Sequence, residues 1–192
     1  MLNLLVIVTS TRPRRSGWAI GQWFTKLAEQ HGAFHVTFAD LAEVNLPLLD
    51  EPAHPSLRQY EHEHTKAWST LVSTADAFVF VMPEYNFFAP PTLVNAVDYL
   101  YHEWHYKPAG FVSYGGASGG MRSVQSIKSL LTSVNVMPLP TAVAIPFFSK
   151  HIDETKGFVA TEQHEQSAKA MLDELRKWAV ALETMREPAQ KR

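Results

Sequence analysis

Arg12, Arg14 and Arg15 lie between the hydroxyls of Ser10-Thr11 and the pair Ser16-Gly17. Cations and hydroxyls crowded into one short stretch can neutralise and hydrogen-bond an anion. The unbroken apolar run Leu4-Leu5-Val6-Ile7-Val8 precedes them, and Trp18, Ile20, Trp23, Phe24 and Leu27 follow at helical spacing. This reads as a buried strand, a loop and an amphipathic helix. The loop then shares its space with the backbone N–H groups and positive dipole end of the helix. Ser10, Thr11, Arg12, Arg15 and Ser16 thus form a candidate phosphate site. A Ser16 cap with solvated arginines serves the same residues, but the place of the loop, at a strand's carboxyl end, is where open α/β sheets take ligands. Neither G-x-x-x-x-G-K-[ST] nor a G-x-G-x-x-G after a strand occurs, which argues against an ATP-type P-loop and a dinucleotide-binding turn.

Two further stretches combine unusual residue types in the same setting. After Ala77-Phe78-Val79-Phe80-Val81-Met82 comes Pro83-Glu84-Tyr85-Asn86, in which a proline fixes the backbone beside an aromatic face and an amide. After Ala109-Gly110-Phe111-Val112-Ser113-Tyr114 comes Gly115-Gly116-Ala117-Ser118-Gly119-Gly120, where missing side chains let the main chain approach a planar group. Either stretch alone reads as an ordinary turn or connection; together with the arginine loop they outline a site for a flat heterocycle bearing a phosphate.

The positioning elements follow from pattern. Helices are expected over about 17–31, 56–75, 92–104, 121–134 and 161–185, and strands over 4–8, 34–40, 77–82, 109–114 and 141–145. Strands alternating with helices imply a doubly wound parallel sheet, with right-handed crossovers covering both faces. The order 2-1-3-4-5, the flavodoxin-like arrangement, puts the switch point between the first and third strands. The three chemistry-bearing loops then converge at one edge.

The chain of 192 residues, 46% hydrophobic, suits a single domain, expected over 1–186 with a frayed tail at 187–192. A net charge of −2 offers no general attraction for nucleic acid or anionic membrane. The absence of cysteine excludes thiol catalysis and cysteine-ligated metals, so redox chemistry requires a bound cofactor. No apolar stretch approaches the roughly 20 residues of a membrane span, and the short start Leu2–Val8 lacks a basic lead and a cleavage site. The expected setting is the cytoplasm.

The set Ser10-Thr11-Arg12-Pro13-x-Arg15-x-Gly17, Pro83-Glu84-Tyr85-Asn86, Asn95-Ala96-x-Asp98 and Gly115-Gly116-x-x-Gly119-Gly120-x-Arg122 resembles the NADPH-dependent FMN reductase family, which includes flavodoxin-like quinone, azo-dye and chromate reductases. The likeness extends over nearly the whole chain. It implies bound FMN, NADPH or NADH as hydride donor, a small-molecule electron acceptor and a homo-oligomer, dimer or tetramer. Carried over by residue, Ser10, Arg12 and Arg15-Ser16-Gly17, with Trp18 beside them, would hold the phosphate. Pro83, Glu84, Tyr85 and Asn86 would line the ring near N5, and Ser113, Tyr114, Gly115, Gly116 and Ser118 its pyrimidine end. Thr9 stands where this family usually has glycine, and Val94 where it usually has lysine. A flavin supplies the reactive atoms, so no catalytic acid or base is assigned, and one stacking pocket serving donor and acceptor in turn implies ping-pong kinetics.

Other readings make distinct expectations. Gly116-x-Ser118-x-Gly120 followed by Asp153 and His164 matches the order of an α/β-hydrolase triad. A non-catalytic electron carrier or flavin-dependent regulator would keep the flavin but usually carries strong acidic charge for docking. His62-Glu63-His64 and His102-Glu103-Trp104-His105 lack the i, i+4 histidine pair of H-E-x-x-H, so no metal is expected. Tyr99, Tyr101, Trp104 and Tyr106 are too dense for a solvated face. Leu93, Val94, Ala96, Val97 and Leu100 spread apolar area around the same segment, which is therefore the expected oligomer interface unless it fills the core.

Overall fold

A computed structural model describes residues 1–186; the expected tail at 187–192 lies outside the described residues. Strands β1 (Leu2–Val8), β2 (Phe34–Asp40), β3 (Ala77–Pro83), β4 (Pro108–Gly115) and β5 (Met137–Pro146) form one sheet in the order β2-β1-β3-β4-β5, every neighbouring pair parallel. The expected topology is the observed one. β3 and β4 are buried at every position, which is why they read as continuous apolar runs.

Alternate residues of these strands serve opposite faces. Leu4, Val6, Val8, Val79, Val81 and Val112 pack beneath α1 (Gly17–His31) and α6 (Glu162–Leu182). Leu5, Ile7, Phe78, Phe80, Met82 and Phe111 pack beneath α3 (Glu63–Ser73), α4 (Pro91–Asp98) and α5 (Met121–Ser133). Between β2 and α3 lies one short helix, α2 (Leu41–Val44), whose first turn is capped by the Asp40 carboxylate accepting from Ala42 N at 3.0 Å.

Three expected elements differ. The helix expected at 56–75 is a 3-10 turn at Pro55–Leu57, a left-handed Arg58 (φ 52°) and then α3. The helix starts only at residue 63 because the Glu51 carboxylate accepts the N–H groups of Glu61 and His62 at 2.8 and 3.1 Å, capping it from outside. The helix expected at 92–104 ends at Asp98, and the chain turns so that Glu103, itself buried, accepts from Tyr60 Oη and Ser69 Oγ at 3.0 and 2.7 Å. β5 begins at Met137 and not at 141, with Pro138 and Pro140 tolerated on an edge strand. The short hairpin β6 (Ile152–Asp153) and β7 (Gly157–Phe158) follows it.

The apolar surplus on α4 is consumed inside the chain. Leu93, Ala96, Val97, Tyr99, Leu100 and Trp104 are all buried in the core. Much of the apolar surface read as an oligomer interface is thus accounted for by the core, with Val94 and Tyr101 left partly exposed.

Candidate functional site

The arginine loop is fastened at its root. Thr9 N and Thr9 Oγ1 both donate to Val81 O, at 3.0 and 3.1 Å, and Thr92 Oγ1 donates to Thr9 O. The residue standing where glycine is usual therefore ties β1's exit to β3 and α4. Ser10 is buried, and its hydroxyl shares a 2.6 Å hydrogen bond with that of Tyr85, joining the first loop to the third strand's loop. Arg12 lies with its guanidinium carbon 5.9 Å from the Tyr85 ring centroid. Neither Arg12 nor Arg14 enters an ion pair among the described residues. Arg15 is different: it pairs with the Asp40 carboxylate, which is fully buried, while its Nε is buried without a hydrogen-bond partner.

At the head of α1 the Ser16 side chain makes no capping bond, and the first turn holds no acidic residue. The N–H groups there are left without a side-chain acceptor. Gly17 is required by proximity, since a Cβ on it would lie 2.5 Å from Tyr114 Oη. That phenol is pushed above its ordinary pKa, first by burial and then by Tyr85, so it remains a neutral donor.

The other two loops are clamped to each other. Glu84 Oε2 accepts from Ser118 Oγ at 2.7 Å and Oε1 from Arg122 Nε at 2.8 Å. Burial works to raise the Glu84 carboxyl, but the Arg122 and Ser118 hydrogen bonds outweigh it and hold the group below the usual carboxylate range. Tyr85 and Phe88 exchange backbone hydrogen bonds at 3.0 and 2.9 Å around Asn86 (φ 50°) and Phe87 (φ 69°). Positive φ at both central residues is the geometry of a tight type I′ hairpin. Asn86 suits it; Phe87 does so less readily, and its ring lies 3.7 Å from the Arg122 guanidinium carbon.

These loops enclose a cleft of about 300 Å³. Ser10, Arg12, Arg15 and Ser16 line it from the first loop, and Pro83, Glu84, Tyr85, Tyr114 and Gly115 from the other two. The remaining expected residues stand elsewhere. Gly17 backs Tyr114; Trp18 and Asn86 fall outside the lining, as do Gly116 and Ser118. Ser113 is outside the lining too: it is fully buried and donates to Gly119 O at 2.8 Å, holding the glycine loop. Pro13, Arg14 and Phe148 also line the cleft and were missed. Phe148 stacks edge-on against Tyr114 at 5.2 Å, held there because Phe147 N donates to Gly116 O at 3.1 Å. The signal was the exposed-type Phe147-Phe148 pair at the carboxyl end of β5.

The triad order is not a triad in space. Ser118 is bonded to Glu84, Asp153 accepts from Thr155 and Lys156, and His164 Nδ1 accepts from Thr161 N in the capping box of α6. Among the described residues no group of histidines and carboxylates is arranged to hold a metal ion, and no helix is long and apolar enough to cross a membrane. Comparison with known proteins then decides the family: residues 2–150 match the one described as NADPH-dependent FMN reductase. The chain belongs to that family.

Within it, the chain is 36% identical over 171 residues to an NAD(P)H-dependent FMN reductase of Schizosaccharomyces pombe, covering 80% of this chain and 85% of the relative. An NADPH azoreductase of Bacillus sp. is 30% identical over 145 residues, covering 73% and 75% respectively. Among solved structures, the NAD(P)H:(acceptor) oxidoreductase FerB of Paracoccus denitrificans superposes with a TM-score of 0.73 over 94% of this chain and 98% of that one, at 22% identity. That level of identity speaks for the shared fold. Members of the NADPH-dependent FMN reductase family are oxidoreductases, and the assignment makes this chain one.

Proposed function

We propose that the protein is an FMN-dependent NAD(P)H oxidoreductase that reduces small quinone, azo or flavin acceptors by a ping-pong cycle. The observation that carries this reading is the charge arrangement on the arginine-loop side of the cleft. Arg12 and Arg14 have no carboxylate partner among the described residues, Arg15 is already balanced by Asp40, and the α1 N-terminus beside them is uncapped. A phosphomonoester carries about −1.5 to −2 at neutral pH and matches two free cations and a helix dipole. The facing wall, Pro83, Glu84, Tyr85, Tyr114 and Gly115, brings a proline, two aromatic rings and a glycine against which a planar ring can lie.

FMN, when bound, supplies hydride acceptance at its ring and delivery of one or two electrons. The chain's own residues bind and orient. Ser10 fixes Tyr85 by their shared hydrogen bond, so the phosphate loop and the ring-lining loop move as one. Glu84, Ser118 and Arg122 hold the two ring-lining loops together. No side chain in the cleft is assigned a proton-transfer role. Donor and acceptor use the same open face in turn, which is the basis for the ping-pong assignment. Initial rates of NADPH oxidation at several fixed quinone concentrations test it: parallel reciprocal plots are expected, and converging lines overturn the shared-face cycle.

Arg12→Ala should weaken FMN binding tenfold to a hundredfold, the loss of one charge-assisted hydrogen bond worth about 1.5–3 kcal/mol. Riboflavin, which lacks the phosphate, should bind wild type and variant equally. Unchanged FMN affinity by fluorescence titration would remove Arg12 from the site. A homo-oligomer belongs to the same proposal but rests on Phe87 and Phe88, 64% and 53% exposed beside the cleft, and not on α4. So does a cytoplasmic setting, where the nicotinamide donor is available.

A further inference from the structure

A second cavity, of about 310 Å³, lies behind the arginine loop. Ser10 and Arg12 face the first cleft, whereas Thr11 between them faces this one. The two spaces are thus lined by neighbouring residues of the same loop.

The walls are pinned independently of any ligand. Asp40 caps α2 and sets the positions of Leu41 and Ala42. Asn45 ends that helix in the left-handed region (φ 50°), its N–H donating to Leu41 O at 3.1 Å. On the opposite side Thr92 donates to Thr9 O, and Asn95 accepts from Leu49 N at 3.0 Å while donating to Pro47 O at 2.7 Å. The Asn95 amide is therefore spent on the wall. The Asn45 amide and the Thr11 hydroxyl make no hydrogen bond to the described residues and remain available to a ligand.

The lining is uncharged: Leu41 and Leu46 give apolar contact, Asn45 and Thr11 can give hydrogen bonds, and the arginines of the loop, Arg12, Arg14 and Arg15, line the first cleft instead. An uncharged flat group joined to a phosphate fits this distribution. A primary amide pairs with the donor–acceptor edge of adenine, and leucines pack its faces. We propose that this cavity takes the adenosine of NADH, which carries no 2′-phosphate, with the pyrophosphate crossing the loop beside Thr11 and the nicotinamide reaching the face of the bound flavin. This rests on the reductase reading above and adds to it a dedicated subsite for the donor.

The test uses the FMN-loaded protein and two donors, NADH and N-benzyl-1,4-dihydronicotinamide, which lacks the adenosine half. Ala42→Leu fills the cavity while leaving the backbone N–H that Asp40 accepts, and Asn45→Gly removes the amide at a position whose φ glycine adopts freely. Both should raise KM for NADH by about tenfold, the loss of one hydrogen bond or its packing equivalent, with rates on the truncated donor and FMN affinity unchanged. AMP titrated alone should bind wild type in the millimolar range or tighter and lose about tenfold in affinity in both variants. AMP affinity that is absent or equal in all three proteins overturns the subsite. A protein that retains FMN but oxidises neither donor defeats the reductase reading instead, and AMP then judges the cavity by itself.

Discussion

Asp40→Ala is expected to destabilise the protein by about 3–5 kcal/mol. The carboxylate is fully buried, at the carboxyl end of β2 opposite Val8 of β1, and it has two partners: the Arg15 guanidinium and the Ala42 N–H at the head of α2. Removing one member of a buried pair leaves the other charge without compensation, which typically costs about 3–5 kcal/mol, and losing an N-cap adds about 1 kcal/mol. Arg15 is 20% exposed, so it recovers part of this by turning toward water. For a chain of this length the loss corresponds to a fall in Tm of roughly 10 °C. Inorganic phosphate should restore more stability to the variant than to wild type, since it meets an arginine that Asp40 no longer balances. Thermal unfolding followed by circular dichroism checks both, and a variant melting within 2 °C of wild type, roughly the effect of 1 kcal/mol, would mean that Arg15 needs no counter-ion.

That pair also marks a boundary of what the sequence revealed. Arg15 was legible as a cation in an anion-binding loop, because residue type and the strand before it sufficed. Its commitment to a carboxylate on the neighbouring strand was not, since the parallel register that brings Val8 opposite Asp40 is set by the whole sheet. The Ser113 hydroxyl was hidden for a related reason: between Val112 and Tyr114 at a strand end, a serine looks available, but β4 is central and its hydroxyl is turned inward to Gly119. The sheet itself was readable because β1, β3 and β4 are covered on both faces and contain little but apolar residues.

Helix limits were misplaced where capping comes from distant side chains. Glu51 sets the start of α3 and Glu103 fixes the segment after α4, and neither acts through local pattern. The apolar excess on α4 had a similar origin. That helix contacts the sheet, α5 and α3 together, with Trp68 Nε1 donating to Ala96 O at 2.9 Å. Apolar residues around most of a helix mean several neighbours, and the sheet, α3 and α5 supply them for the buried positions.

Gly120→Ala is expected to cost about 2–5 kcal/mol and to disable the cleft. Gly120 has φ 83°, where an alanine pays about 1–2 kcal/mol, and its Cβ would lie 2.7 Å from Tyr114 N and 2.9 Å from Tyr114 O. Those are main-chain atoms of β4, held by β3 on one side and β5 on the other, so relief must come from displacing the glycine loop, with an overpacking cost of about 1–3 kcal/mol. The loop is anchored at the same place by Ser113 on Gly119 O and by Ser123 on Gly120 O at 2.7 Å. Moving it therefore shifts Gly115 and Tyr114, the ring-lining side of the cleft, and FMN and riboflavin should lose affinity together, unlike the phosphate-selective effect at Arg12. Gly116→Ala is the matched control, because nothing lies within 4 Å of a Cβ there and the backbone is not left-handed. Guanidinium unfolding midpoints should separate the two substitutions clearly, with Gly116→Ala within about 0.5 kcal/mol of wild type. Equal midpoints for both would show that β4 yields to the loop, and the cleft would then be shaped by its ligand and not by the fold.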